Sequence, residues 1–226
     1  MSNLTINSKV RNYDIYFDHN IKKAINKNYK KNDIIIIDKK VYDLLNGQII
    51  FKNKKILKIK ISENAKDYNN IGKIINNILS LQFTKSNKLI VVGGGITQDI
   101  SSFIAHILFR GVEWIFIPTT LLAQADSCIG SKISVNFNKY KNLLGSYYPP
   151  SKIYIDTKLL KSLNKIEIFS GIGEMSHYFI VSSKRNFLNF KKNVDFLMKR
   201  DLNILKIYIK KCLEIKKDFI EKDEFE

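Results

Sequence analysis

Two cysteines and three histidines are the only Cys and His side chains these 226 residues offer a soft metal or a disulfide. Cys128 and Cys212 lie far apart along the chain. Neither a disulfide framework nor a zinc knuckle is expected, and a reducing, cytoplasmic setting is the natural one. No opening segment joins a basic start to a long apolar run, so no signal peptide is expected. The most apolar region, Phe103 to Ala123, is broken by Arg110, Glu113 and Pro118, and it is not expected to span a membrane. Internal repeats and low-complexity linkers are lacking too. With 45% hydrophobic residues, the chain can still bury a core in one large or two small domains.

Negative charge is scarce: 21 acidic residues face 38 basic ones, a formal charge of +17. Such a balance raises the question of nucleic acid. The lysines, however, are spread (Lys22, Lys23, Lys30, Lys31, Lys54, Lys55, Lys191, Lys192, Lys216, Lys217) and form no single arm. They accompany an excess of Asn and Ile that reads as compositional drift. We read most of them as solvated surface with a mild pull on anionic substrates, and nucleic acid is not expected as a partner.

What is present is a βαβ rhythm. Ile34 to Ile37 is a short β-branched apolar run, the mark of a strand buried on both faces. A helical stretch around Val41 to Leu45 follows, then a lysine-interrupted strand from Ile56 to Ile61. Tyr68 to Leu81 places Ile71, Ile74, Ile75, Ile78 and Leu79 at helical spacing. Leu89 to Val92 predicts a strand, Ile100 to Phe109 a helix, and Trp114 to Ile117 another strand. Strands alternating with helices predict an α/β fold with a Rossmann-like, mostly parallel sheet. Near Asp156 the texture becomes helical, with segments Thr157 to Leu163, Ile166 to Ser182, Phe187 to Lys199 and Asp201 to Lys222. The last carries Leu202, Leu205, Ile209, Leu213 and Ile220 on one stripe, which must pack on something. The expected division is an α/β domain over residues 1–156 and an all-α domain, incomplete within these residues, over 157–226.

The chemistry gathers between Leu89 and Asn142. A strand empties into Gly93-Gly94-Gly95, and a helix carrying Asp99 follows. Glycines there let backbone approach a pyrophosphate, and first-turn N–H groups favour negative charge. A tight strand-to-helix turn is the plainer reading, with Asp99 as a first-turn carboxylate. Glu63 and Lys66 follow an earlier strand, a usual place for a ribose-binding carboxylate and a phosphate-binding cation. Thr119 and Thr120 after Pro118 either cap the next helix or face a ligand. Asp126, Lys132, Lys141 and Asn142 crowd a span with little strand pattern, read as a mixed polar–apolar loop. That density costs desolvation unless the groups meet ligands or each other.

These residues carry a resemblance. Val91-Val92-Gly93-Gly94-Gly95-Ile96-Thr97-Gln98-Asp99, Phe109-Arg110-Gly111, the run Pro118 to Ser127, Lys141-Asn142-Leu143-Leu144-Gly145 and Gly173-Glu174-Met175 resemble the 3-dehydroquinate synthase family of sugar-phosphate cyclases. The resemblance implies tightly bound NAD and a divalent metal, zinc or cobalt. It implies an alcohol oxidation, phosphate elimination, re-reduction and carbocycle closure on 3-deoxy-arabino-heptulosonate 7-phosphate, in the shikimate pathway. By position it gives NAD to Glu63, Lys66, Gly94, Gly95, Asp99, Thr119 and Thr120, with Leu159, Leu160, Lys161 and Ser162 lining it. Lys132 and Lys141 serve cofactor and substrate, with Asp126 and Asn142 on the substrate. Arg110 reaches a substrate phosphate across a homodimer interface, and Glu174 is a metal ligand.

Three departures stand out. Gln98 and Ser131 replace family glycines. His177 occupies the place of a substrate-binding lysine; a Glu-x-x-His pair on one helix face is also metal-ligand spacing, so a substrate contact, a second ligand and a structural histidine all stay open. The family's two histidine ligands follow an acidic turn like Lys222 to Glu226 and so are not among these residues. His19 and His106 read as structural. A catalytic zinc takes three protein ligands, so the 226 residues alone are expected to be inactive. Other readings are a cyclase for another sugar phosphate such as sedoheptulose 7-phosphate, a glycerol-dehydrogenase-like oxidoreductase, and a non-catalytic nucleotide-binding remnant.

Overall fold

The computed structural model describes residues 3–45 and 51–225. Seven strands form one sheet: β1 (Asn3–Ile6), β2 (Tyr13–Phe17), β3 (Ile34–Asp38), β4 (Lys55–Ile59), β5 (Leu89–Gly93), β6 (Trp114–Pro118) and β9 (Lys152–Ile155). Their order is β1-β2-β9-β6-β5-β3-β4. Every neighbouring pair is parallel except β1 with β2. The expected mixed α/β architecture with a mostly parallel sheet is therefore present.

The apolar runs explain it. Ile34, Ile35, Ile36 and Ile37 of β3 are all fully buried, and their side chains alternate between two faces. Ile34 and Ile36 join one core with Val91, Phe116 and Ile153. Ile35 and Ile37 join another with Val92, Ile117 and Tyr154. Helices must cover both faces. On the second lie α1 (Ile21–Asn28), through Ile21, Ala24 and Ile25, and α2 (Lys39–Leu44). On the first lie α3 (Tyr68–Ser80) and α4 (Gly95–Ile107), through Ile71, Ile78, Ile100 and Ile104.

After β9 the described elements are all helical: a 3-10 segment over Thr157–Ser162, then α5 (Lys165–Ser182), α6 (Lys184–Met198) and α7 (Leu202–Lys222). The capping box of Asn164 and Glu167 starts α5. The stripe read on α7 is buried at Leu205, Ile209, Leu213 and Ile220, in the same core as the first sheet face. Phe179 of α5 stacks on Phe190 of α6 at 4.7 Å, locking the helices together. No helix among the described residues is long and apolar enough to cross a membrane.

The span read as a polar loop is instead a hairpin: β7 (Lys132–Phe137) pairs antiparallel with β8 (Tyr140–Tyr147) as a separate two-stranded sheet. Its alternation was hidden because β8 is half or fully exposed throughout. Asn138 at the turn takes a left-handed φ of 53°, which Asn tolerates better than most residues. Gly145 is required where the strands meet, since a Cβ there would lie 2.3 Å from the Ile133 carbonyl oxygen.

Both cysteines are free and buried. Burial pushes the Cys128 thiol up to about 12 and raises that of Cys212 further. Because the thiolate is the reactive form, iodoacetamide is expected to label neither cysteine in the native protein from pH 7 to 9, and both in urea. Mass spectrometry reads the count; native labelling at pH 8 would contradict the packing around α7.

Candidate active site

In a parallel sheet the strand ends share one edge, and that edge is where ligands gather. Asp38, Gly93, Pro118 and Ile155 end β3, β5, β6 and β9 there. Two clefts open beside it, of about 650 and 530 Å³.

The glycine turn sits between them. A Cβ on Gly93 would lie 2.3 Å from Thr97 Oγ1, and one on Gly94 would lie 2.9 Å from the Thr120 methyl. Gly94 is the N-cap of α4, makes no side-chain cap, and no acidic residue occupies the first turn. The first-turn N–H groups therefore lack a side-chain acceptor, and this backbone-only, positive helix end suits a phosphate. Asp99 is not the first-turn carboxylate of the plainer reading. It is the fifth helical residue, paired with Lys66 at 2.6 Å. Burial raises its carboxyl above the usual range, and the Lys66 ammonium opposes that rise. Thr120 does cap, its Oγ1 accepting from the Ala123 N–H at 3.2 Å. The Gln124 amide donates to the carbonyls of Pro118 and Asp156, tying β6 to the end of β9.

The larger cleft brings together Gly95, Asp99, Asp126, Lys132, Glu174 and His177. Glu174 and His177 share a face of α5, as their spacing requires. Asp126 is held hard: its Oδ1 accepts from Lys216 Nζ at 2.7 Å and from the Tyr178 hydroxyl. Burial and the neighbouring Asp126 charge raise the Tyr178 phenol, keeping it protonated. Neither Lys216 nor Tyr178 was singled out from the sequence. Lys216 belongs to the lysines expected mostly at the solvated surface; it is instead partly buried against Asp126. The signal was its place on the stripe of Ile209, Leu213 and Ile220 at helical spacing, where a lysine needs a partner. Tyr178 stands four residues after Glu174, on the same helix face. The departure Gln98 is used as well: its Nε2 donates to the Ser127 carbonyl at 2.6 Å and its Oε1 accepts from the Ser127 hydroxyl at 2.8 Å.

The smaller cleft brings Thr119, Thr120, Leu159, Lys161 and Ser162 together with Asp38 and Lys40. The last two were missed, although a carboxylate ending a buried strand is a recognisable signal. Asp38 accepts from the Lys40 N–H at 2.9 Å, and its half-buried carboxyl is raised by desolvation. Leu160, expected to line the cofactor, is fully buried in the core and faces neither cleft.

Glu63, Lys66, Lys141, Asn142 and Arg110 line neither cleft. Lys66 reaches the larger one through Asp99, and Asn142 reaches it through Lys66, whose Nζ donates to its Oδ1 at 2.6 Å. Lys141 is exposed on β8. Arg110 is exposed within a left-handed turn, where Phe109, Arg110 and Gly111 have φ of 53°, 63° and 112°. Two consecutive non-glycine residues in that region store strain. His19 packs edge-on against Tyr16 and Tyr154, and His106 tilts on Tyr148.

Among the described residues no group of three His, Cys, Asp or Glu side chains could hold a metal ion. The donor set therefore does not fit a metal by itself. The glycine turn, by contrast, fits a dinucleotide: Gly95 lines the larger cleft, and the first turn of α4 has neither a side-chain cap nor an acidic residue to compete for its N–H groups.

A sheet of this order, with its clefts beside the strand ends, has the architecture of the sugar-phosphate cyclases. The chain superposes with a TM-score of 0.84 on 2-epi-5-epi-valiolone synthase from Streptomyces hygroscopicus, solved with NAD+ and Zn2+ bound, at 21% identity over 95% of this chain and 62% of that one. On a 2-deoxy-scyllo-inosose synthase complexed with carbaglucose-6-phosphate, NAD+ and Co2+, the score is 0.71, at 22% identity over 91% and 62%. In sequence, residues 56–170, half of the chain, match the family described as 3-dehydroquinate synthase N-terminal. The 3-dehydroquinate synthase of Dictyoglomus thermophilum is 34% identical over the whole chain. The chain belongs to the 3-dehydroquinate synthase family. It spans 64% of the length of that relative.

Proposed function

We propose that these residues form the cofactor- and substrate-binding part of an NAD-dependent sugar-phosphate cyclase, with 3-dehydroquinate synthase activity in the whole protein. The observation that carries this reading is the meeting of Asp99, Asp126, Lys132, Glu174 and His177 around one cleft of about 650 Å³ at the mouth of the glycine turn. On this reading residues 1–156 hold most of the cofactor, Leu159, Lys161 and Ser162 complete its cleft, and the later helices of 157–226 roof the substrate.

NAD, when bound, would supply a hydride acceptor for a substrate alcohol and the donor for its later re-reduction. Thr119, Thr120, Asp38, Lys161 and Ser162 line the cleft beside the glycine turn, and they offer hydroxyls, a carboxylate and a cation to a dinucleotide. Lys132 and Lys216 meet the negative charge of a phosphorylated sugar acid. Asp126, clamped by Lys216 and Tyr178, accepts a hydrogen bond from a substrate hydroxyl. Arg110, exposed on its strained turn, reaches a substrate phosphate in the partner of a homodimer. Lys141 and Asn142 reach the ligands from the hairpin. A divalent metal, when bound, would polarise the substrate oxygens; Glu174 would be one of its ligands, and the described residues offer no group of three donors for it. The setting is cytoplasmic.

The test uses the whole protein with NAD, zinc or cobalt, and 3-deoxy-arabino-heptulosonate 7-phosphate. Stoichiometric phosphate release without net NADH is expected. Release from sedoheptulose 7-phosphate alone would move the substrate. Lasting NADH with glycerol would instead indicate a glycerol-dehydrogenase-like enzyme. Steeply salt-dependent DNA binding without NAD binding would leave only a remnant.

A further inference from the structure

Two amides of the hairpin, Asn136 and Asn142, stand behind the wall of the larger cleft. Asn136 of β7 is 6% exposed. Its Nδ2 donates to Glu63 Oε1 at 2.7 Å, and its Oδ1 accepts the Asn142 N–H at 2.9 Å. Asn142, left-handed at φ 54°, presents its Oδ1 to Lys66 Nζ at 2.6 Å and to the Ser134 hydroxyl at 3.1 Å. Lys66 closes the chain on Asp99, also at 2.6 Å. The order is Glu63, Asn136, Asn142, Lys66, Asp99, and only Asp99 lines the cleft. The main chain of Asn136 also bridges to Asp67, so the amide is pinned at its root.

We propose that Asn136 is a positioning residue for the cofactor wall, setting the Glu63 carboxylate with one end of its amide and, through Asn142, the Lys66–Asp99 pair with the other. The proposal rests on the NAD reading above, with the dinucleotide running from the smaller cleft past Gly95 to Asp99 in the larger one. The chemistry demands an amide. One end must donate to a carboxylate while the other accepts from a main-chain N–H; an amide does this from two separate atoms, a hydroxyl has only one, and an ionised carboxylate cannot donate. A flipped amide would set oxygen against oxygen and N–H against N–H. Groups behind a binding site commonly change affinity about tenfold when lost, because they hold the contacting groups in place.

The experiment is an NAD titration by calorimetry on the protein and its variants, with amide hydrogen exchange at Asn142. Asn136→Ala removes both bonds. Asn136→Asp keeps the acceptor for Asn142 and sets a second carboxylate against Glu63. Each is expected to weaken NAD about tenfold. Exchange at the Asn142 N–H is expected to speed up in Asn136→Ala and stay slow in Asn136→Asp. Combining Glu63→Gln with Asn136→Asp reverses donor and acceptor, and the pair is expected to bind NAD as Glu63→Gln alone does. A merely structural asparagine would show no such recovery. Wild-type binding of NAD with no effect of Asn136→Ala overturns this proposal and leaves the cofactor reading standing. No NAD binding by the wild type overturns both. If Asn136→Ala does not fold, the reversed pair decides, and failure to improve on Asn136→Asp overturns the proposal.

Discussion

Gly93→Ala is expected to destabilise the protein by about 3 kcal/mol, the upper part of the range for overpacking a filled core. The added Cβ would lie 2.3 Å from Thr97 Oγ1, 2.5 Å from Thr97 Cβ and 2.8 Å from Thr97 Cγ2. Thr97 cannot give way, being fully buried at the start of α4. Nor can Gly93, whose carbonyl accepts the Thr119 N–H at 2.9 Å and whose strand is paired to Pro118. For a chain of this size the loss corresponds to a melting point lower by roughly 6–12 °C. The turn would open to relieve the clash, so NAD affinity should fall by at least about tenfold along with it. Thr97→Gly in the same background removes the obstruction and is expected to recover part of the stability. Gly72→Ala is the contrast. It lies exposed in α3 with nothing within 4 Å of an added Cβ, and the substitution is expected to stabilise by about 0.5–1 kcal/mol through helix propensity. Thermal melts of the two variants test the packing directly. Equal melting points would mean that Thr97 does not fill the space behind the turn.

The same contrast between local and distant contacts governs what could be read in advance. β3, β5 and β6 were legible because burial on both faces writes itself as an unbroken apolar run, Ile34–Ile37 being the clearest. α3 and α7 were legible from their stripes. β1, β2 and β9 were not read, since β1 is short and half exposed at an antiparallel edge. The hairpin carries no strand pattern in sequence because it stands off the main sheet with β8 largely in solvent. Within the site, groups set by local chain geometry were found: the glycine turn, Thr119, Thr120, Asp126, and Glu174 with His177. Groups whose meaning depends on a partner far along the chain were not. Lys216 is ninety residues from Asp126, and nothing near it in sequence marks it apart from the lysine-rich surface except its place on the α7 stripe.

Metal binding separates the two halves of the chemistry most sharply. On the 226 residues alone, cobalt is expected to give no tetrahedral absorption band, and NAD affinity is expected to be the same with and without a chelator. Zinc and cobalt sites of catalytic type take three protein ligands. Glu174 and His177, one turn apart on α5, offer two donors at most. The other acidic groups of the larger cleft whose contacts are fixed are already engaged. Asp126 Oδ1 accepts from Lys216 and Tyr178, while Glu224 accepts from the Ser8 hydroxyl and the Lys9 N–H at 2.6 Å each. Taking either for a metal would leave Lys216, or the Ser8 hydroxyl and Lys9 N–H between β1 and β2, without its partner. Lys132 and Lys216 line the same cleft and repel a dication further. The resemblance puts the remaining ligands in the part of the relatives that these residues do not match. Phosphate release by these residues alone is therefore expected to be undetectable even with saturating NAD and zinc. One equivalent of metal surviving dialysis against a chelator, or turnover by the 226 residues, would show that α5 and its neighbours build a complete site of another kind.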